Sequence, residues 1–454
     1  MIKFLPLGGA GDIGASCFYL NIGGSGIILD CGMHPQKSGL DALPRLDLIK
    51  DLPVDFVLIS HAHQDHIGAL PYLVQQHPYI KIVSTPQTRA LAELTLHNSI
   101  SILSEQLTEE DKIKIYTHEE IDLLIRTIEY KAYGESFEVG NSFHQSLNPV
   151  KAIFYDAGHI LGSAGILLEY MGEKIFYTGD INLEDQILIP RADLPPGNVD
   201  VLILETTYGA TDSSTILSWH EEAARLASSI NKIINLGGSV LIPVFSLGKM
   251  QEILSTIWHL MLSGKITTVD IYSGGIAEKI SMVYDYNRYV VNRVDPEFKI
   301  KSIPQKDLYA VDRAEDFFKN PCIVLAPSGM MIEGTASFKL ARHWLKQSKS
   351  AIFTVGYMEE NTPGYVFANA AKGDKITLSG LTDTEEVKCT IEQFRFSAHS
   401  RREELLDIVK KLHPKKVCLI HGDPPAIDWM GASILKKFKG IKLYEAETGK
   451  EICF

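Results

Sequence analysis

The stretch "SHAHQDHIGALP", residues 60–71, places His61, His63, Asp65 and His66 within six consecutive positions. It follows "VDFVLIS" (54–60), a short apolar run rich in β-formers that reads as a buried strand. It runs into "HIGALPYLVQQH" (66–77), whose apolar residues recur at helical spacing. The four polar residues therefore occupy a strand-end loop, where sheets carry their chemistry. His61 and His63, two apart, point the same way while strand geometry persists. Imidazole and carboxylate together suit zinc, and four such groups exceed what one tetrahedral catalytic zinc needs. A lone histidine is usually structural; three with an aspartate in so short a loop read as metal ligands.

Around this loop the chain is ordinary for a globular protein of its length. It has 454 residues, 45% hydrophobic and 22% charged, which predicts two domains or one with a large insertion. No apolar run is long enough to span a bilayer, and the start lacks a signal-peptide core, so no membrane partner and a cytoplasmic location are expected. The six cysteines form no CxxC pair and mostly sit in apolar runs, which reads as reduced, buried thiols and argues against a thiolate zinc site. The net charge of -12 opposes nucleic acid at long range, but basic residues gather late, from Arg401 and Arg402 through Lys410, Lys411, Lys415 and Lys416 to Lys439. A solvated helix face explains any one of these clusters unless it flanks the site.

The first thirty residues read as strands separated by glycine-rich turns, with "GGSG" (23–26) as a hairpin. "GAGDIG" (9–14) matches a dinucleotide fingerprint, and Asp30 even stands about twenty residues on. The match misleads, because "ASCFYLNIGGSG" follows it where that fold needs a helix. Strands recur at "VKAIFYDAG", "KIFYTGD" and "VDVLILETTYG". From about residue 208 strand–helix alternation takes over, in "GSVLIPVFSLGKMQEILSTIWHLML" and "CIVLAPSGMMIEGTASFKLARHWL", which implies a parallel sheet. Residues 276–315 are polar and weakly periodic, and no element is predicted there. "FSAHSRREELLDIVKKL" then gives a helix, with "SRRE" (400–403) as a capping box directly after His399, and "KKVCLIHGD" a strand ending at His421. An anion is favoured at such a helix start, where Ser397, Arg401 and Arg402 would add phosphate contacts.

"HAHQDH" resembles the H-x-H-x-D-H signature of the metallo-β-lactamase superfamily. Its other signature residues follow in order: Asp30 in "ILDCG", His159 in "AGHILGSA" and Asp180 in "YTGD". "LETTYG" with Glu205, "FSAHS" with His399 and "IHGD" with His421 look like the three extra motifs of its β-CASP group. "LDCGMHPQKSGLDALPRLDLI" is similar to the branch of the endonuclease subunit of the pre-mRNA cleavage and polyadenylation factor and its prokaryotic ribonuclease relatives. The resemblance covers nearly the whole chain. It implies a mixed α/β (α+β) fold: an αββα sandwich from residues 1–207 and 393–454, with an α/β β-CASP domain, 208–392, inserted. The amino-terminal RNA-binding domains of archaeal relatives and the carboxy-terminal domain of ribonuclease J are not expected.

The resemblance also implies the site. His61, His63 and His159 would hold one zinc; Asp65, His66 and His421 the second; Asp180 would bridge the two ions. Asp30 orients the histidine loop by hydrogen bonds or simply caps its strand; the two readings weigh equally. His34 is expected to be a loop residue. The implied activity is a two-metal hydroxide hydrolysis of single-stranded RNA leaving 5′-phosphate and 3′-hydroxyl ends, with Asp65, Asp180, Glu205 and His399 catalytic. His399 would be the general acid and Glu205 would orient it and raise its pKa. Histidine at position 421 accompanies RNA-processing members. Lys249 and Tyr365 depart from the family pattern, which bears on RNA affinity. Relatives suggest a homodimer. The rival readings are a small ester or thioester hydrolase, a single-stranded DNA nuclease, and a non-catalytic RNA-processing scaffold.

Overall fold

The computed structural model describes residues 2–106, 116–140, 149–356, 358, 362–377 and 384–454. Two compact units emerge. One joins Met1–Glu184, Arg191–Thr215 and His399–Phe454; the other joins Asp185–Pro190 and Ile216–Ala398. The chain thus enters its inserted part at 216 and leaves it at 398, against sequence boundaries of 208 and 392, and a six-residue strap belongs with the insertion.

The first unit is built on two seven-stranded sheets. The first sheet contains β1 (Lys3–Gly8), β2 (Cys17–Ile22), β3 (Ser25–Leu29), β4 (Phe56–Leu58), β5 (Lys81–Ser84) and β6 (Ile128–Tyr130), with Ile452–Cys453 at the edge beside β1. β1 and β2 are antiparallel, so the glycines of "GAGDIG" turn a strand back on itself and no nucleotide-binding helix follows. Gly23 and Gly24, both at positive φ, close the β2–β3 hairpin in two residues. The second sheet contains β7 (Ser136–Val139), β8 (Val150–Asp156), β9 (Ala164–Tyr170), β10 (Glu173–Tyr177), β11 (Val201–Glu205), Lys416–Ile420 and Lys442–Glu445.

Alternation along the second sheet explains why its strands read as continuous apolar runs. Ile175, Tyr177, Val201, Ile203, Cys418 and Ile420 face the first sheet and share a core with Phe4, Phe18 and Leu29. Phe176, Leu202, Leu204, Val417 and Leu419 face the other way, onto the helices Arg402–Leu412 and Pro424–Lys437. Both faces are covered, as an αββα sandwich requires, and the expected fold is borne out.

Strand direction then decides where the loops go. β10, β11 and Lys416–Ile420 are parallel, and β8 runs with them because β9 is antiparallel to both neighbours. Their carboxyl ends lie along one edge. His159, Asp180, Glu205 and His421 all stand at or just beyond those ends. In the first sheet, parallel β3 and β4 deliver Asp30 and the loop 59–66 in the same manner.

The second unit carries a six-stranded parallel sheet with β12 (Val240–Pro243), β13 (Asp270–Ser273), β14 (Lys306–Asp307), β15 (Cys322–Ala326), β16 (Ala351–Val355) and Thr390–Phe394. The predicted strand–helix alternation is there. The segment in which no element was expected holds a helix, Ile276–Tyr286, and this corrects the sequence reading. Its inward residues Ala277, Ile280, Ser281 and Tyr284 keep helical spacing, but a serine among them dilutes the apolar signal. Residues 357 and 359–361, within "GYMEENTPG" (356–364), lie outside the described residues.

Candidate metal centre

Gly32 explains how the histidine loop is seated. A Cβ there would stand 1.7 Å from the Asp65 carbonyl oxygen, so only glycine lets the two segments meet. Backbone bonds lock the contact: Ser16 N–H donates to Asp65 O at 2.9 Å and Cys31 N–H to His66 O at 2.8 Å. Asp30, at φ +59 and fully buried, sits beneath the loop. Its Oδ1 accepts Ser60 N–H at 2.6 Å; its Oδ2 accepts the Ser60 hydroxyl at 2.6 Å and His66 Nδ1 at 2.9 Å. Asp30 therefore orders the loop by hydrogen bonds while also ending β3.

Two ligand groups result. His61, His63, His159 and Asp180 form one, Asp65, His66 and His421 the other, each with its ligand atoms within 4.8 Å of one another. In the first, His63 Nδ1 lies 3.1 Å from both His61 Nε2 and His159 Nε2, and Asp180 Oδ2 lies 3.5 and 3.7 Å from the same two nitrogens. In the second, Asp65 Oδ2 lies 3.6 Å from His66 Nε2 and 3.4 Å from His421 Nε2. Asp180 Oδ2 also approaches His66 Nε2, at 3.4 Å, so one carboxylate oxygen faces both groups. Donors at zinc-like distances of about 2.0–2.1 Å around a tetrahedral ion stand about 3.3–3.4 Å apart, and these separations bracket that value.

The buried atoms make the same point chemically. Asp30 accepts a hydrogen bond from His66 Nδ1, which leaves Nε2 facing two carboxylates with no hydrogen-bond partner; Asp180 Oδ1 also lacks one. Burial alone would depress the basicity of His66, but Asp180, Asp65 and Asp30 outweigh it and push its pKa well above the usual histidine range. His421 is raised too, its burial overcome mainly by Asp180 and Asp65. Burial would raise Asp65 and Asp180, yet the facing histidines hold both below the ordinary carboxylate range. His61 is lowered by burial, then by His66. Buried carboxylates opposing imidazole nitrogens call for positive charge at the centre, which divalent ions would supply. The residues fit such ions.

Beside this lies a third group: Asp180, Glu205 and His399. Glu205 is fully buried; its Oε1 accepts Ile181 N–H at 2.9 Å and His399 Nδ1 at 3.1 Å, and its Oε2 accepts Thr207 N–H at 3.1 Å. Burial opposes the charged form of His399, but Glu205 prevails and raises its pKa.

The chain is also similar to known proteins. Residues 10–216 match the family described as "Metallo-beta-lactamase superfamily", 250–366 "Beta-Casp domain", and 384–445 "Zn-dependent metallo-hydrolase RNA specificity domain". An "RNase J-like protein" of Methanocaldococcus jannaschii is 32% identical over 419 residues, which cover 92% of this chain and 91% of that one. The chain belongs to the β-CASP group of the metallo-β-lactamase superfamily. Among β-CASP relatives, "Cleavage and polyadenylation specificity factor subunit 3" of Dictyostelium discoideum is 30% identical over all of this chain and 57% of its own length. "Endoribonuclease YSH1" of Yarrowia lipolytica is 29% identical over 97% of this chain and 52% of its own. The chain thus spans little more than half the length of these two relatives. A solved structure, "Crystal Structure of a Protein of Unknown Function from Enterococcus faecalis V583", shares the fold, with a TM-score of 0.60 at 13% identity over the whole of both chains.

The other residues singled out in the sequence occupy these places. Arg401 pairs with Glu184 at 2.8 Å; Arg402 pairs with Asp212 at 3.0 Å and Glu403 at 3.1 Å, and lies over the Trp429 ring at 4.2 Å. Ser397 belongs to the second unit. The expected capping box is corrected by one position: the Ser400 hydroxyl accepts Leu183 N–H, so the helix starts at Arg402, and the Glu404 carboxylate accepts Arg401 N–H at 2.8 Å. His34 is a loop residue, buried and 3.0 Å from Asp12. Lys249 is half-buried; its Nζ donates to Phe396 O and lies 5.3 Å from the centroid of the Trp219 ring, and burial lowers it to about 8. The sequence reading missed Ser60, Tyr177 and Thr207, whose hydroxyls contact Asp30, Asp30 and His421 Nδ1. Tyr177 carried a usable signal, a hydroxyl at the buried end of the strand just before "TGD".

Proposed function

We propose that the chain is a zinc-dependent ribonuclease that cuts single-stranded RNA internally, leaving 5′-phosphate and 3′-hydroxyl ends. The observation that carries the reading is Asp180 Oδ2, shared between the two ligand groups and adjoining the Glu205–His399 pair. His61, His63, His159 and Asp180 would hold one zinc, and Asp65, His66, His421 and Asp180 the second. Bound there, the ions would supply hydroxide at neutral pH and offset phosphoryl charge. The protein's own groups do the rest. Asp30 and Ser60 fix the imidazole tautomers. Glu205 keeps His399 oriented and protonated, so that it can hand a proton to the departing 3′-oxygen. Arg401 and Arg402 reach RNA phosphate in exchange for their pairs with Glu184, Asp212 and Glu403.

The RNA specificity domain match and the relatives named as ribonucleases support RNA as substrate, and "Endoribonuclease" supports internal cutting. The reading includes a cytoplasmic setting, which five buried free cysteines suit, and a homodimer, to be checked by light scattering. Among the described residues no helix is long and apolar enough to cross a membrane. The test is gel analysis of labelled single-stranded RNA beside matched DNA with zinc-loaded protein. Internal RNA cuts and intact DNA are expected; intact RNA with both ions bound would overturn the assignment.

A further inference from the structure

Asp30 and Tyr177 stand 147 positions apart and in different sheets: Asp30 follows β3 in the first, and Tyr177 ends β10 in the second. The Tyr177 hydroxyl crosses the sandwich and donates to Asp30 Oδ2 at 2.6 Å. Both side chains are buried, at 1% and 0% exposure, so water offers neither a substitute partner. Three residues after Tyr177 comes Asp180, whose Oδ2 faces both ligand groups.

Asp30 in turn sets two of the facing nitrogens. It accepts from His66 Nδ1 directly, which turns the lone pair of Nε2 toward Asp65 and Asp180. It accepts the single Ser60 hydroxyl proton, so Ser60 Oγ, 3.0 Å from His61 Nδ1, is left to accept the proton of that ring. His61 Nε2 is then the nitrogen presented to Asp180. One carboxylate thus selects the tautomer in both ligand groups, and its position depends on a hydroxyl carried by the strand that delivers Asp180. Phe18, packed on the Tyr177 ring with centroids 5.8 Å apart, holds that hydroxyl in place.

We propose that Tyr177 is a positioning residue of the metal centre, acting through Asp30 to register the histidine loop of one sheet against the Asp180 loop of the other. The inference rests on the metal-binding reading above and concerns ion affinity, not chemistry. Groups bonded to metal ligands from outside typically change metal affinity by about 10–100-fold when removed.

Tyr177→Phe removes one oxygen and keeps the ring against Phe18. The measurement is zinc affinity by chelator competition on metal-stripped protein, with thermal melting of the same metal-free samples, for the unaltered chain, Tyr177→Phe, Asp30→Asn and the double variant. Tyr177→Phe is expected to weaken zinc binding about 10–100-fold. The double variant is expected to bind as Asp30→Asn alone does, because the two act through one group. Unchanged affinity in Tyr177→Phe would overturn the proposal, and so would losses that add in full. A lower melting temperature with intact affinity would make Tyr177 a packing residue only. Should Tyr177→Phe not fold, Asp30→Asn and Ser60→Ala become the comparison; zinc affinity equal to that of the unaltered chain in both would overturn the Asp30 relay on which Tyr177 depends. If the unaltered chain bound no zinc, the metal centre itself would fall, an outcome distinct from all of these.

Discussion

Glu205→Gln isolates what a buried charge does for His399. The substitution keeps a side-chain oxygen for Ile181 N–H and His399 Nδ1, now 2.9 and 3.1 Å from Glu205 Oε1, but removes the negative charge. Burial lowers the His399 pKa and Glu205 is the largest influence raising it. An opposite charge this close favours the charged form. A general acid must be protonated to act, so the rate falls as pH rises through the pKa of His399. Without the Glu205 charge that pKa drops, and the basic limb of the pH–rate profile moves to lower pH. Well above the limb the rate then falls by about 10–10³-fold. The assay is kcat/KM for a labelled RNA across pH, with bound zinc measured in parallel. A basic limb that stays in place, with both ions retained, would refute the acid role of His399.

Three further outcomes are expected. Asp65→Ala removes the carboxylate that faces His66 and His421, so zinc content measured by elemental analysis should fall and cleavage should be lost; full zinc content would exclude Asp65 as a ligand. Glu252, buried beneath the strap 185–190, is raised to about 7 by burial, despite accepting the N–H groups of Ile187, Leu188 and Ile189. A carboxyl raised in the fold contributes stability that is complete below its ordinary pKa and fades as pH rises through the raised value. The melting curve of the unaltered chain should therefore lose about 3 kcal/mol between pH 4.5 and 7 relative to Glu252→Gln, and parallel curves would refute the shift. Replacing Arg401 and Arg402 by alanine should lower the salt slope of RNA binding by about 0.7 for each phosphate that is no longer neutralised. An unchanged slope with a lower melting temperature would confine both to their internal pairs.

Much of the centre was legible because its residues follow strands that are apolar on both faces. β10, β11 and Lys416–Ile420 announce themselves as continuous runs, and Asp180, Glu205 and His421 come at their ends. What joins those ends was not legible. The Tyr177–Asp30 bond links residues remote in sequence, and periodicity places Tyr177 inward without saying what its hydroxyl meets. Ser400 looked like a cap because its spacing to Glu403 is right; the backbone of the loop 181–183 competes for it and wins. Lys249 stood out only as a departure from the family pattern, since a sequence shows charge but not the Phe396 carbonyl that binds it.

The spread of the ligands along the chain has a consequence for synthesis. Asp65 and His421, 356 positions apart, face each other at 3.4 Å, and the whole inserted unit is made between them. At ~5–20 residues per second, roughly 20–70 s separate the two during translation. Through that interval the growing chain holds only part of the second ligand group. The ribonuclease proposed above would therefore lack a complete second ligand group, beside the message that encodes it, until the segment bearing His421 emerges.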